Sequence, residues 1–136
     1  MIIYYPNMKE GLAEFGIEIP VPRSRAATTF AKLRSHTTLG PRIDSWHIDR
    51  VNETITRNDL LRVHSADYVN RLYSDQLEKE IIRTFELIDK NGRYYRYNPH
   101  NATLPLTELF ERLLFKVAGT VQCCRLALEK EFCFAF

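Results

Sequence analysis

Short apolar runs separated by breaks rich in Gly and Pro divide the chain into predicted strands and helices. The first run, Met1–Tyr5, is apolar and β-prone and is followed by Pro6, which predicts a buried first strand. The last run, Phe132–Phe136, lacks polar alternation, which is typical of a strand inside a parallel sheet. A weaker pattern predicts an extended piece within Ile43–Val51. Because helical patterns lie between these runs, the order is that of an α/β protein.

Between the predicted strands, apolar residues recur at helical spacing behind residues that favour helix N-termini. The predicted N-caps and their helices are Ser24 before Arg25–Arg34, Thr56 in a capping box with Asp59 before a short helix, Ser65 before Ala66–Tyr73, and Asp75 before a helix that continues to about Asp89 and ends at Asn91-Gly92. A loop rich in Arg, Tyr and Asn, residues 92–105, then separates these helices from the next one.

A long helix is predicted from about Leu106 to Lys130. Six apolar residues lie on one side of it: Leu109, Leu113, Val117, Val121, Cys124 and Leu128. So much apolar surface predicts a largely buried helix. Gly119 inside the helix costs about 1 kcal/mol relative to Ala, and we therefore expect it to mark close packing against another backbone.

Composition limits the class of protein. Hydrophobic residues are 45% and charged residues 26% of the 136, as in an ordinary globular domain. The net charge of +2 is too small to favour nucleic acid or an acidic membrane surface. No run reaches the roughly 18 apolar residues of a membrane span, and no secretory signal is indicated. We therefore expect a cytoplasmic protein whose three cysteines are buried free thiols.

The residues present offer little catalytic chemistry. None of the four histidines pairs with another at ligand spacing, and the cluster His47-Ile48-Asp49 supplies too few ligands for zinc. No nucleophile elbow or phosphate-binding loop occurs. The Arg93–Tyr97 segment interleaves arginines with tyrosines, which suits a stacking platform for single-stranded nucleic acid, the mouth of a pocket, or a plain surface loop. Without a wider basic surface, nucleic acid is not expected.

Four pieces, in order, resemble the start of the histone deacetylase superfamily, which includes acetoin-utilisation proteins and acetylpolyamine amidohydrolases. The segment Asp59–Val69 resembles its "LxxVHSxxYV" stretch, with His64, Ser65 and Tyr68 in the matching positions. The other three pieces are Ile3-Tyr4-Tyr5-Pro6, Arg25 after Ile19-Pro20, and Ala118-Gly119-Thr120 followed by Phe132–Phe136. In the family, that last pair leads into a Gly-Gly-x-His-His segment.

The resemblance implies the fold and the cofactor. The family fold is a single arginase/deacetylase-like α/β domain whose central parallel sheet has helices on both faces. Its zinc is held by two aspartates and a histidine, and a histidine pair moves protons. All these residues lie beyond the part that 1–136 resembles. We therefore expect 1–136 to be a single incomplete domain without metal ligands, inactive alone, with zinc bound only by the full-length protein.

The resemblance also assigns candidate residues. Arg25 corresponds to an arginine at the floor of the active-site channel, where it would hold a departing carboxylate, or it pairs with an acid or carbonyl at the helix start. Tyr4 would line the same cavity or pack in the core. We expect His64 to be structural, fixing the turn beside the N-cap Ser65, and Gly119 to serve packing.

A departure from the family pattern concerns the substrate. Family enzymes often carry an Asp on the rim loop before the long helix, whereas 91–107 contains no acidic residue and Tyr97 or Asn98 fills that position. A neutral rim cannot hold a peptide amide by a charge-assisted hydrogen bond. An acylated small molecule is therefore at least as good a substrate as a peptide.

The alternative is a self-standing α/β interaction module that dimerises, with the Arg/Tyr segment as its contact. In both interpretations we expect self-association, because the sheet and helix surfaces around Phe132, Phe134 and Phe136 would lack cover. Codons after Phe136 that encode Gly-Gly-x-His-His would favour the enzyme.

Overall fold

The computed structural model describes residues 1–5, 11–19 and 25–136, and these form a mixed α/β structure. Its helices are α1 (Arg25–Ser35), α2 (Ile43–Trp46), α3 (Arg57–Leu61), α4 (Ala66–Leu72), α5 (Leu77–Thr84) and α6 (Glu108–Lys130). Short 3₁₀ helices cover Ala13–Phe15, Gly40–Arg42 and Pro99–Asn101. None of the helices in the described ranges combines the length and the apolar character that crossing a membrane requires.

Three short strands form a parallel sheet in the order β2-β1-β3. They are β1 (Ile2–Ile3), β2 (His47–Ile48) and β3 (Phe134–Ala135). Ile3 of the central strand is buried, whereas Phe134 of β3 is 49% exposed. The α/β class and the parallel sheet are thus confirmed. Among the residues of the described strands only Ile3 is buried, and β3 is paired along one edge.

Contacts divide the predicted single domain into two compact units, each built from segments that are distant in sequence. The first unit comprises Met1–Glu10, Pro22–Thr54 and Phe115–Phe136. It holds the sheet, α1, α2 and the C-terminal part of α6. The second unit comprises Gly11–Val21 and Ile55–Leu114, with α3, α4, α5 and the first residues of α6.

A cluster of aromatic rings packs around Phe30 in the first unit. Phe30 of α1 is buried, and its ring lies 4.5 Å from the rings of both Tyr4 and His47. In the same unit, the buried Gln122 of α6 accepts a hydrogen bond from Asn52 N (2.7 Å) and donates one to Arg50 O (3.2 Å). A buried amide that is satisfied in this way stabilises the segment after β2 against α6.

The second unit has an apolar core. Its main cluster consists of Phe15, Ile17, Ile81, Leu87, Tyr97, Leu106 and Leu109, and a smaller one of Leu60, Val69 and Leu72. Gly16 permits the turn between Phe15 and Ile17, since its φ is +72° and a Cβ there would overlap the Asn98 carbonyl oxygen. Only glycine adopts this conformation without strain or a clash at such a site.

Two predicted N-caps are present. The Thr56 side chain accepts from Asp59 N (3.3 Å), and the Asp59 carboxylate accepts from Thr56 N (2.9 Å), which completes the predicted capping box. The Ser65 hydroxyl accepts from Tyr68 N (3.4 Å) and begins α4, as predicted. Helix α1 covers the predicted Arg25–Arg34, while its predicted cap Ser24 lies outside the described residues.

The helix predicted from Asp75 to Asp89 is wrong at both ends. It is capped by Gln76 without a side-chain hydrogen bond, and it ends at Thr84, after which Glu86 has a φ of 53°. The chain then forms a tight hairpin, in which the Asp89 carboxylate accepts from the backbone N–H groups of Asn91 (2.8 Å) and Arg93 (2.9 Å). The Asn91-Gly92 signal therefore marks a hairpin turn and not a helix end.

The surroundings of Gly119 also differ from the expectation. Within the described part of the chain, the nearest heavy atom to a Cβ built on Gly119 is Val51 Cγ2 at 3.5 Å, an ordinary van der Waals contact with a side chain. No backbone lies as close as the expected helix packing requires. The residue lies at the edge of an open space.

Candidate functional site

Among the described residues, a partly enclosed cavity of about 180 Å³ in the first unit is a candidate site. The sheet side is formed by Ile3, Tyr5, Val51, Ala135 and Phe136, and the α6 side by Phe115, Lys116, Gly119 and Thr120. Ile3 and Ala135 are the last residues of their strands, and the other sheet-side residues follow the strand ends. The cavity therefore lies at the carboxyl ends of parallel strands, where α/β folds place ligands.

The cavity wall has one aromatic pair and few polar groups. The rings of Tyr5 and Phe115 lie 5.6 Å apart at 56°, a tilted contact. The Thr120 hydroxyl donates to the Lys116 carbonyl oxygen (3.2 Å), so it can accept but not donate a further bond. No ion pair of Lys116 is found within the described residues. Sequence reasoning singled out Gly119 but missed the cavity, because its lining comes from four separate parts of the chain.

Of the two predicted channel residues, Tyr4 packs against other aromatic rings, whereas Arg25 is exposed. The Tyr4 ring stacks on Phe30 and meets the Phe136 ring edge-on at 6.0 Å, while its carbonyl oxygen lies 3.0 Å from His47 Nε2. Arg25 is the exposed first residue of α1. Tyr4 is thus a packed aromatic residue next to the cavity-lining Tyr5, and its assignment to a channel wall stays a prediction, as does that of Arg25.

The proposed rim residue Tyr97 is part of the core of the second unit. It is 8% exposed, and its ring meets that of Tyr94 edge-on at 5.3 Å. Burial, together with the nearby Glu78 and Tyr94, raises the pKa of Tyr97, so the neutral phenol is favoured. A side chain in this position serves packing first.

Asn98, the other rim candidate, is half-buried and holds the loop in place. Its backbone N–H donates to Gly16 O (2.8 Å), and its side-chain oxygen accepts from His100 N (3.1 Å) at the start of the Pro99–Asn101 helix. Arg96, two residues earlier, has a φ of 59° and packs over the Tyr95 ring. The loop is therefore well ordered by local contacts, with Asn98 more accessible than Tyr97.

The His64-Ser65-x-x-Tyr68-Val69 motif has a structural explanation. Ser65 caps α4, and the buried Val69 belongs to the smaller apolar cluster of the second unit. The exposed His64 ring meets the Tyr68 ring at 5.3 Å, and the Arg71 guanidinium lies over the same tyrosine. The motif thus fixes the turn that starts α4, consistent with a structural His64.

Within the described ranges, no three His, Cys, Asp or Glu side chains converge on a point that could hold a metal ion. His36 Nδ1 accepts from Thr38 N (3.2 Å) and closes the turn after α1, and His47 Nε2 contacts Tyr4 O. Asp49 pairs with Arg50 at 3.8 Å. These residues do not fit a catalytic zinc site, which needs three protein ligands.

A charged triad in the second unit gave no sequence signal. The buried Glu80 carboxylate accepts from Arg71 Nε and from the Arg83 guanidinium, both at 2.7 Å. The hydrogen bond from Arg71 is the main reason that the pKa of Glu80 is lowered, with the charges of Arg71 and Arg83 adding to it against the opposing effect of burial. The triad connects α4 to α5 through charge-assisted hydrogen bonds.

Two cysteines of the first unit lie together. Burial is the main cause that raises the pKa of Cys123 to about 11, and a hydrogen bond with the Cys133 side chain adds to it. Cys124, the next residue on α6, is exposed. Such a high pKa disfavours the thiolate, so Cys123 is unsuited to act as a nucleophile near neutral pH.

Comparisons of this chain with models of known protein families, with curated proteins and with solved structures found no match.

Proposed function

We propose that residues 1–136 correspond to the N-terminal portion of a zinc-dependent deacetylase-like amidohydrolase that acts on an acylated amine. The single observation that carries the proposal is the ordered set of four sequence pieces, of which the Asp59–Val69 segment is the most specific. The parallel order β2-β1-β3 and the long α6 that precedes β3 support it, because the resembling fold is built on a parallel sheet.

The proposal gives this portion a scaffold role. In the resembling enzymes, zinc polarises the amide carbonyl and activates water. In the resembling family the metal ligands and the general base follow the segment that Phe132–Phe136 resembles, and the proposal places them there. Residues 1–136 supply three strands of the sheet, the Arg25 region of the channel and the Asn98 rim.

The substrate class follows from the rim. The 91–107 loop has no acidic residue, and its Asn98 side chain is engaged in capping. A charge-assisted hydrogen bond to a peptide backbone N–H is therefore absent from this loop. An acylated small amine, such as an acetylpolyamine, fits such a rim better than an acetyl-lysine peptide.

The test begins with the coding sequence beyond Phe136. We expect it to encode Gly-Gly-x-His-His and an Asp-x-His pair, and we expect the longer protein to contain stoichiometric zinc and to hydrolyse acetylpolyamine faster than an acetyl-lysine peptide. The matched control is the 136-residue chain, which should show neither zinc nor turnover. A stop codon after Phe136, or turnover by the 136-residue chain itself, would contradict the proposal.

The alternative is a self-associating module, and one observation favours it. Three apolar residues of the first unit are exposed in a short stretch: Leu128 by 90%, Phe132 by 62% and Phe134 by 49%. Contiguous exposed apolar surface is typical of interaction sites. In addition, β3 presents an unpaired edge among the described strands, and such an edge can pair with a second copy.

Light scattering at low micromolar concentration tests this alternative. We expect a dimer or larger species from the 136-residue chain, and a shift towards monomer in Phe132→Ser/Phe134→Ser. Val63→Ser, which changes an exposed apolar residue of the second unit outside the Arg/Tyr segment, is the control and should leave the mass unchanged. A compact monomer for the unmodified chain would contradict self-association.

A further inference from the structure

We propose that the 180 Å³ cavity of the first unit binds a small organic anion with an apolar body, of the benzoate type, whose carboxylate pairs with Lys116. The inference does not depend on the proposed function, because every lining residue lies within the first unit and no metal takes part.

The position of the cavity is the first argument. It opens where β1, β2 and β3 end, and α6 closes it on the other side. Crevices beyond the carboxyl ends of parallel strands are the general ligand position in open α/β sheets, because the loops there are free to vary while the strands hold them in place.

The size of the cavity selects the ligand body. A buried apolar cavity of roughly 150 Å³ is enough for benzene, and this one measures about 180 Å³. One aromatic ring with one small substituent therefore fills it. Tyr5 and Phe115, already in tilted contact, offer aromatic surfaces against which such a ring packs edge-to-face or offset.

The charge of the lining selects the substituent. Among the described lining residues, Lys116 carries the positive charge and no side chain is a carboxylate. Lys116 makes no ion pair with a described side chain, so its ammonium can pair with a ligand carboxylate. A charge-assisted hydrogen bond from an ammonium to a carboxylate is about twice as strong as a neutral one, which favours an anion over its neutral amide.

Gly119 keeps the space open. A Cβ at this position would meet only Val51 Cγ2 within 4 Å among the described atoms, so larger side chains would project into the cavity. The open space therefore requires a small residue at this position of α6. It also supplies a graded set of variants, because Ala fits the space and Leu fills it.

Calorimetric titration of the 136-residue chain with sodium benzoate at constant ionic strength tests the proposal. We expect saturable 1:1 binding, with benzamide at least about tenfold weaker. Lys116→Gln should weaken benzoate binding by about tenfold, since it removes the charge. Lys130→Gln, which removes an exposed charge from the same helix outside the cavity, should leave it unchanged.

The Gly119 variants test the location. Gly119→Ala should keep most of the binding, and Gly119→Leu should abolish it, with circular dichroism confirming that each variant is folded. If Gly119→Leu does not fold, Tyr5→Leu gives a second local readout, because it removes an aromatic surface against which the ring packs and should weaken benzoate binding. Absence of saturable binding, equal affinity for benzoate and benzamide, or equal losses in Lys116→Gln and Lys130→Gln would overturn the proposal.

Discussion

The two compact units bury their apolar side chains to very different extents. The largest fully buried side chains, Phe15, Ile17, Val69 and Leu87, all belong to the second unit. In the first unit, Ile3, Phe30 and Ala118 are the buried apolar residues among those described, while Leu128, Phe132 and Phe134 are exposed. The second unit therefore has the more extensive buried core, although each unit also lines an open pocket.

This difference separates the residues that hold the fold from those available for binding. Closed cores lose stability with every methylene removed, because the surroundings relax only partly. Open cavities and exposed apolar surfaces tolerate change and recruit ligands or other chains. On this basis stability should depend mainly on the second unit, and ligand binding or self-association on the first.

The largest expected effect concerns the core of the second unit. Leu87 is fully buried, so Leu87→Ala should lower the free energy of unfolding by about 2–5 kcal/mol. Leu128→Ala, in the first unit, should change it by less than about 0.5 kcal/mol, because that side chain is 90% exposed. Denaturant unfolding followed by circular dichroism measures both. Equal losses would remove the contrast between the units.

A glycine series gives the next largest effect. Gly16→Ala combines a left-handed φ with a clash on the Asn98 carbonyl, and it should cost more than the roughly 1–2 kcal/mol that the conformation alone costs an L-residue. Gly92→Ala shares the positive φ but has open space around it, so it should cost only that conformational amount. Gly119→Ala should stabilise by up to about 1 kcal/mol through helix propensity.

Thermal melts of these three variants measure the predicted changes in stability. A destabilising Gly119→Ala would show that the first unit is packed more tightly around α6 than the contact with Val51 indicates. Equal costs for Gly16→Ala and Gly92→Ala would show that the turn between Phe15 and Ile17 relaxes around the new methyl group.

The third prediction is a pH dependence specific to the second unit. Because the pKa of Glu80 is lowered in the folded state, its contribution to stability is present at neutral pH and is lost as pH falls below the ordinary value of 4.5 through the folded pKa. Glu80→Gln should melt lower than the unmodified chain at pH 7, with the difference shrinking below pH 4.5. Glu129→Gln, an exposed control on α6, should follow the unmodified chain throughout.

The smallest expected effect is on the rate at which Cys123, in the first unit, is alkylated. The Cys123 pKa of about 11 lowers its thiolate fraction, partly offset by the higher nucleophilicity of a more basic thiolate. Iodoacetamide at pH 8 should therefore alkylate Cys123 roughly tenfold more slowly than an ordinary cysteine. Mass spectrometry of partly labelled protein should show Cys124 modified first. Simultaneous labelling would mean that the interior of this unit opens readily.

Local signals in the sequence were sufficient for several elements. The capping box of Thr56 and Asp59 and the Ser65 N-cap were predictable because each depends on a side chain and a backbone N–H three residues away. The long helix was predicted at Leu106–Lys130 and is found at Glu108–Lys130, since its apolar spacing extends over many turns. The parallel α/β character followed from the order of these patterns.

Other features required the tertiary structure. The apolar spacing of Leu77, Ile81 and Phe85 continues to Ile88, yet the helix ends at Thr84, because Leu87 is buried in the core and Ile88 forms a bridge with Tyr94. Residues at helical spacing can be buried equally well by a hairpin that folds back. Tyr97 became a rim candidate through the family resemblance, and no local pattern reveals that its ring is buried.

By itself, the sequence determined the α/β class, the starts of α1, α3 and α4, and the absence of paired metal ligands at short spacing, because these depend on residues close together along the chain. Only the tertiary structure decided which side chains form the cavity, what surrounds Gly119, and how Arg71 and Arg83 surround Glu80. The physical reason is common to all three. Each is a convergence of groups whose separation in space is set by packing, and sequence spacing carries no information about that distance.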